Sequence, residues 1–278
     1  MNTVAIVGVG LIGGSFALAL RKAGFSGEIL GVSSAAAIEA AKKAGAIDRG
    51  VPLEQAAGSD LIYLAQPVDR ILATLAILGE IAPAHCLITD AGSTKTAIVR
   101  QAAQHVRTAR FLGGHPMAGK ESRGVESAEA GLFAGRPYVL MPFPDSENRR
   151  EQEFSEWLGR IGTKVLIMTP EQHDTAVAWS SHLPQILSTG LAATLSEAAN
   201  PDIELVVGPG LLDMTRLALS PPDLWESILN TNREPILGAL DGLVDQLKKL
   251  KVCLQEDKLD TMWREAGTFS RSLRSRLH

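Results

Sequence analysis

The segment Val4–Gly14 reads VAIVGVGLIGG, a short β-rich apolar run that enters a glycine turn. Gly8, Gly10 and Gly13 fit the pattern G-x-G-x-x-G. In such a turn the first glycine permits the tight bend, and the second lets backbone approach a pyrophosphate. The third lets the following helix pack close to its strand. Unpaired N–H groups at the helix start, together with the helix dipole, favour an anion there. A second strand begins on schedule at Glu28. The turn, with Leu11 and Ile12, is therefore expected to hold a dinucleotide. Gln66 and Pro67, which close the apolar run Leu61–Ala65, are expected on the same ligand. NAD enzymes place Asp or Glu at the end of the second strand, where it accepts from the ribose hydroxyls and repels a 2′-phosphate. Here that place reads GVSS, with Ser33 and Ser34, and no Arg stands beside them in the sequence. The choice between NAD+ and NADP+ stays open.

Outward from this turn, strand-like and helix-like segments alternate through about the first 165 residues, which indicates a parallel-rich α/β sheet covered on both faces. The further strands expected are Leu61–Ala65, His85–Thr89, Phe111–Gly113, Tyr138–Met141 and Lys164–Met168. The helices expected between them are Leu11–Ala23, Ala35–Ala44, Val68–Leu78 and Lys95–His105. The pattern changes at Thr169, a good N-cap followed by Pro170 at the first helical position. From there the chain reads as helical, with apolar periodicity over Leu224–Leu250 and Leu259–Leu273. Two domains are expected, α/β over residues 1–168 and all-α over residues 169–278. Faces such as STGLAATL and ILGALDGLVDQL exceed what one small bundle needs, which points to a homodimer through the helical domain.

Of the 278 residues, 45% are hydrophobic and 21% charged, which is enough apolar material for more than one core. A net charge of −4 gives no reason to expect a nucleic-acid or anionic-membrane surface. The terminal basic stretch RSLRSRLH reads as a solvated helix end. Cys86 and Cys253 are scattered thiols, neither a disulfide framework nor a metal site, and suit a reducing cytoplasm. The chain opens directly on a strand and a turn, without a basic leader. No apolar run approaches the roughly 18–20 residues of a membrane-spanning helix. The expected partner is a small molecule.

Two stretches carry chemistry: DAGSTK, Asp90–Lys95, and GGHPMAGKES, Gly113–Ser122. His115 lies between glycines and a proline, in a loop expected after a strand. Ligands gather at the carboxyl edge of a parallel sheet, and an imidazole suits proton transfer near neutral pH. Ser93 follows another strand, so both side chains are expected on one crevice. The plainer reading is a loop histidine that caps backbone groups.

These two stretches, with HDTAVAWSSHLP and GLLDMTR, resemble in the same order the prephenate and arogenate dehydrogenases of tyrosine biosynthesis. The resemblance runs from the glycine turn to at least Asn232. It implies an N-terminal Rossmann domain and a helical C-terminal dimerisation domain. It also implies that His115 takes the proton of the substrate's ring hydroxyl and that Ser93 helps position that hydroxyl, the histidine and the nicotinamide. Arg216 then binds a substrate carboxylate, while His182, Trp225, Gln185 and Glu121 belong to the substrate pocket. The implied reaction removes hydride from the hydroxyl-bearing carbon, loses the ring carboxylate as carbon dioxide and aromatises. Aromatisation drives the second step, so no metal is required.

Each of these residues has a plainer reading. Arg216 can pair with Asp213, Trp225 can be core, and His182 can sit satisfied in a domain seam. His173 reads as support for the first turn of its helix, and Lys120 with Glu121 as a gate or a solvated pair. Two departures bear on the substrate: HLPQ, with Gln185, stands where many family members read HLPH, and Leu212 stands where many have arginine. Glu121 resembles prephenate-type members, so prephenate is expected, with arogenate the alternative. A hydroxyacid or imine reductase of similar architecture, or a nucleotide-sensing regulator without turnover, are the more distant readings.

Overall fold

The computed structural model describes residues 1–120, 122–142, 148–198 and 200–275. Its first half runs β1 (Thr3–Val7), α1 (Leu11–Lys22), β2 (Glu28–Val32), α2 (Ala35–Lys43), β3 (Arg49–Gly50), α3 (Leu53–Ala56), β4 (Leu61–Leu64), α4 (Val68–Ile81), β5 (Leu87–Asp90) and α5 (Thr96–His105). Then come β6 (Arg110–Pro116), β7 (Pro137–Met141), α6 (Arg149–Ile161) and β8 (Lys164–Ile167). Helices follow: α7 (Pro170–Val177), α8 (Leu183–Glu197), α9 (Asp202–Leu205), α10 (Pro209–Thr215), α11 (Pro222–Thr231), α12 (Arg233–Gln255) and α13 (Asp260–Ser275).

The strands form one sheet of order β3-β2-β1-β4-β5-β6-β7-β8. Every pair is parallel except β6–β7. This is the doubly wound Rossmann order with an extension on one edge. The central strands are buried on both sides, as VAIV, LIYL and LITD already suggest by lacking polar alternation. One core layer lies under α1 and α6, where the rings of Phe16 and Tyr63 stack at 4.0 Å. The other lies under α4 and α5. The chain order reverses direction between β1 and β4, which opens a crevice beyond their carboxyl ends.

Three elements depart from expectation. His115 lies within β6, not in a loop after it, because antiparallel β7 pairs with the strand as far as Pro116. The expected helix Leu224–Leu250 is broken at Asn232, whose buried amide bonds to the Asp174 carbonyl at 2.8 Å. Helix α6 was not foreseen, since RREQEFSEWLGRI is dominated by its charged face; it buries Phe154, Leu158 and Ile161. Asn148 caps its start, and Gly162 ends it at φ +87°.

By its internal contacts the chain divides into Met1–Arg233 and Glu234–His278. In the first unit, Thr169 opens α7 with a capping box closed by Gln172. A π-turn, Ala178–His182, then leads into α8. In the second unit, α13 exposes Trp263 and Phe269. Among the described residues, no helix is long and apolar enough to cross a membrane.

Candidate active site

The glycine turn is shaped by contacts a side chain would destroy. Gly8 adopts φ +94°, and a Cβ there would meet the Ala65 carbonyl oxygen at 2.7 Å. A Cβ on Gly13 would lie 2.3 Å from the Gly8 oxygen, so only glycine lets α1 sit this close to β1. Gly10 is the opposite case, with nothing within 4 Å of its would-be Cβ, which leaves room for a ligand to touch backbone. Helix α1 has neither a side-chain cap nor an acidic residue in its first turn, so its N–H groups remain available to an anion. A crevice of about 590 Å³ extends from Gly8 and Gly10 past Gln66 and Pro67 to Ser33 and Ser34. These features fit a dinucleotide.

The ribose end differs from expectation in two ways. The Ser34 hydroxyl caps α2, accepting from the Ala37 N–H at 3.4 Å. Arg70, from the first turns of α4, lines the same crevice, as does Glu126. The guanidinium absent from the local sequence is thus supplied across the switch point, although an acid accompanies it.

A second crevice, about 410 Å³, is lined by Leu11, Ile12, Gln66 and Pro67 on the cofactor side. Ser93, Lys120, Leu224 and Ile228 line it as well. Ser93 follows β5 and His115 lies near the end of β6, the neighbouring parallel strand. A buried ion pair ties the two together. Asp90 and Lys95 have fully buried side chains and contact each other directly. Lys95 Nζ also donates to the Gly114 oxygen at 2.7 Å, while Asp90 accepts from the N–H groups of Gly92 at 2.8 Å and Gly114 at 3.2 Å. Burial lowers the Lys95 pKa, and Asp90 opposes that shift.

His115 is half-buried and makes a 2.8 Å contact from Nδ1 to Nε2 of His173, the rings meeting edge to face. His173 Nδ1 is 2.9 Å from Asp174 Oδ1. Asp174 also accepts from the backbone N–H groups of Lys95 at 2.7 Å and Thr96 at 2.8 Å, at the start of α5. Burial opposes its charge, but the bonds from His173, Thr96 and Lys95 outweigh it and hold the carboxyl below the ordinary range. His115 is pushed well below the usual imidazole value, first by burial and then by His173, Lys95 and His182. It is therefore a neutral base at neutral pH.

The other expected residues separate into groups. His182 is buried, packs edge-on against Trp225 with ring centroids 5.9 Å apart, and meets Asn232 Nδ2 at 3.1 Å from its Nδ1. The Asn232 amino group is identified by its bond to the Asp174 carbonyl, so His182 Nδ1 accepts and Nε2 carries the hydrogen. Burial lowers the His182 pKa to about 4. Gln185 donates from Nε2 to the Leu217 oxygen at 2.8 Å; its Oε1 and Trp225 Nε1 are buried atoms without a hydrogen-bond partner among the described residues. Arg216 is an exposed residue at the end of α10, outside the lining of either crevice. Lys120 pairs with Glu129 at 2.7 Å. Glu121 lies outside the described residues. His173, expected to support the first turn of its helix, also contacts His115, and the contacts of Asp174 and Asn232 have no counterpart in the sequence reading. The signal for the first two was their adjacency in HDTAVAWSSHLP; none existed for Asn232. Among the described residues, no group of His, Cys, Asp and Glu has the arrangement to hold a metal.

The family model for the prephenate dehydrogenase nucleotide-binding domain matches residues 16–175, and that for the prephenate dehydrogenase dimerization domain matches residues 169–267. Prephenate dehydrogenase of Bacillus subtilis is 31% identical over 95% of this chain and 73% of its own. The solved structure of Aquifex aeolicus prephenate dehydrogenase, in complex with hydroxyphenyl propionate and NAD+, superposes with a TM-score of 0.92 at 32% identity over 98% of both chains. Arogenate dehydrogenase of Synechocystis superposes at 0.83, with 29% identity over 99% of both.

Proposed function

The chain belongs to the prephenate dehydrogenase family of nicotinamide-dependent oxidoreductases, and from that premise we propose how its site acts. The reaction is oxidative decarboxylation of prephenate to 4-hydroxyphenylpyruvate with NAD(P)+, within tyrosine biosynthesis. One observation carries this reading: His115, in contact with His173 at 2.8 Å, lies on the strand beside the one that leads to Ser93, and Ser93 lines the crevice that adjoins Leu11 and Ile12 of the glycine turn. The cofactor, when bound, accepts the hydride of the hydroxyl-bearing carbon. His115 removes the hydroxyl proton, and Ser93 orients that hydroxyl by hydrogen bonding. The Asp90–Lys95 pair holds the segment after β5 in register with the end of β6. His182 and Trp225 each offer an N–H to the substrate's carboxylate side, Gln185 contacts its side chain, and Arg216 supplies a guanidinium to a carboxylate. Gly8, Gly10, Leu11, Ile12, Gly13, Ser33, Ser34, Gln66 and Pro67 hold the cofactor.

We place the functional domain boundary at 168/169 and assign homodimerisation to the helical part. The two unpaired thiols suit action in the cytoplasm. The direct test is absorbance of the reduced cofactor in four assays, prephenate or arogenate with NAD+ or NADP+. No turnover in any of them overturns the reading.

A specific observation favours arogenate as a second substrate. The Leu217 carbonyl can only accept, which assigns the Gln185 amino group to it and leaves Oε1 as an unpartnered acceptor. An acceptor suits the ammonium of arogenate better than the keto group of prephenate. If Gln185 reads that group, Gln185→His lowers kcat/KM for arogenate more than for prephenate. Equal losses remove the argument.

A further inference from the structure

The contacts of Asp174 determine the protonation pattern of both histidines beside it. Asp174 Oδ1 takes the Lys95 N–H at 2.7 Å and faces His173 Nδ1 at 2.9 Å, and Oδ2 takes the Thr96 N–H at 2.8 Å. A carboxylate only accepts, so His173 Nδ1 carries the hydrogen of that contact. In a neutral ring this leaves Nε2 as a lone pair. His115 Nδ1, 2.8 Å away, must then be the donor. The His115 Nε2 lone pair remains, on the side of the ring away from His173.

Charge is distributed unevenly along this line. Among the described residues, the charged or titratable groups that act on His115 are His173, Lys95 and His182, each of which disfavours a proton on it. Asp90, the carboxylate at the end of β5, is already engaged by Lys95. Asp174, the other buried carboxylate, touches His173 and not His115. Among the described residues a cation on His115 thus has no direct counter-charge, whereas one ring further on it has.

We propose that His115 and His173 form a two-histidine relay in which the substrate's proton ends on His173 beside Asp174. As the hydride leaves the hydroxyl-bearing carbon, the O–H bond breaks, and its electron pair completes the C=O bond. The proton joins His115 Nε2 while the Nδ1–H proton of His115 passes to His173 Nε2. His115 is neutral again, and His173 is an imidazolium paired with the Asp174 carboxylate. Return of the proton through His115 to solvent after product leaves restores the starting tautomers. His173 and Asp174 are positioning residues that act through His115. The inference rests on His115 being the base of the reaction proposed above.

The test uses the full-length protein, wild type and two variants. Histidine nitrogen NMR of the wild type is expected to show His115 as the Nδ1–H tautomer; an Nε2–H tautomer overturns the relay. His173→Gln keeps an oxygen that accepts from His115 but cannot take its proton. It is expected to lower kcat about 100-fold with little change in KM for prephenate. Asp174→Asn removes the counter-charge, so the acidic limb of the kcat–pH profile moves to lower pH as the plateau falls. A His173→Gln enzyme within about threefold of wild-type kcat, or an acidic limb unmoved in both variants, overturns the proposal. Thermal unfolding of each variant separates these outcomes from misfolding. Absence of turnover in the wild type defeats the functional reading instead, and the NMR tautomer still decides the hydrogen-bond pattern.

Discussion

The two halves of the site share one sheet edge but are made of different material. The glycine crevice is shaped by main chain: a positive-φ turn, a helix start without a side-chain cap, and a third glycine against a carbonyl. The histidine network is made of side chains drawn from β5, β6, α5, α7 and the break before α12. The first needs absence of bulk and little else. The second needs every donor to find its acceptor, since buried polar groups and charges are costly when left unpaired. The network half should therefore fail through charge and proton transfer, and the crevice half through sterics.

The largest expected effect is on chemistry. His115→Asn should lower kcat for prephenate by about 100- to 10,000-fold with a modest change in KM, measured by absorbance of the reduced cofactor. An unchanged kcat would remove His115 from the mechanism. Next is Lys95→Met, which leaves Asp90 buried beneath Gly114 without its counter-ion. Breaking a buried pair in this way costs about 3–5 kcal/mol, readable by denaturant unfolding. A loss below about 1 kcal/mol would place the pair among merely tolerated contacts, since exposed pairs contribute no more than that.

On the crevice side, Gly13→Ala puts a Cβ 2.3 Å from a backbone oxygen that cannot swing away. About 1–3 kcal/mol of stability should be lost, together with cofactor affinity measured by fluorescence quenching. Unaltered affinity would show that α1 can shift without disturbing the turn. The smallest effect expected is on the pH dependence of stability. Unfolded His182 protonates near the ordinary imidazole value of 6.5, whereas burial holds the folded residue at about 4. The unfolded chain binds more protons between those values, so stability should decline as pH falls through that window. The decline should be smaller in His182→Asn; equal slopes would assign it to other groups.

Legibility followed the same division. The alternation of strands and helices, the turn, and the crevice positions of Ser33, Ser34, Gln66 and Pro67 could all be read along the chain, because each depends on neighbours a few residues away. The motifs single out His115 and Ser93, but not that His115 sits inside a strand, since that depends on pairing with β7. Arg70 lines the cofactor crevice because β4, which precedes its helix, pairs with β1, a contact between strands far apart in the chain. The contact of His173 with His115 was hidden because the two lie 58 positions apart in the chain. The charged face of α6 masked an apolar stripe that only packing against the sheet reveals.

The sequence by itself determined what is local: where strands and helices alternate, where only glycine fits, and which titratable side chains are present. Tertiary structure alone decided which of those side chains touch. It set Asp174 against His173, placed His173 on His115, and used Asn232 to break a helix and assign the His182 tautomer. Backbone conformation follows from short-range sterics, whereas a hydrogen-bonded network follows from desolvation, which takes effect only when folding has brought distant groups together and removed the water between them.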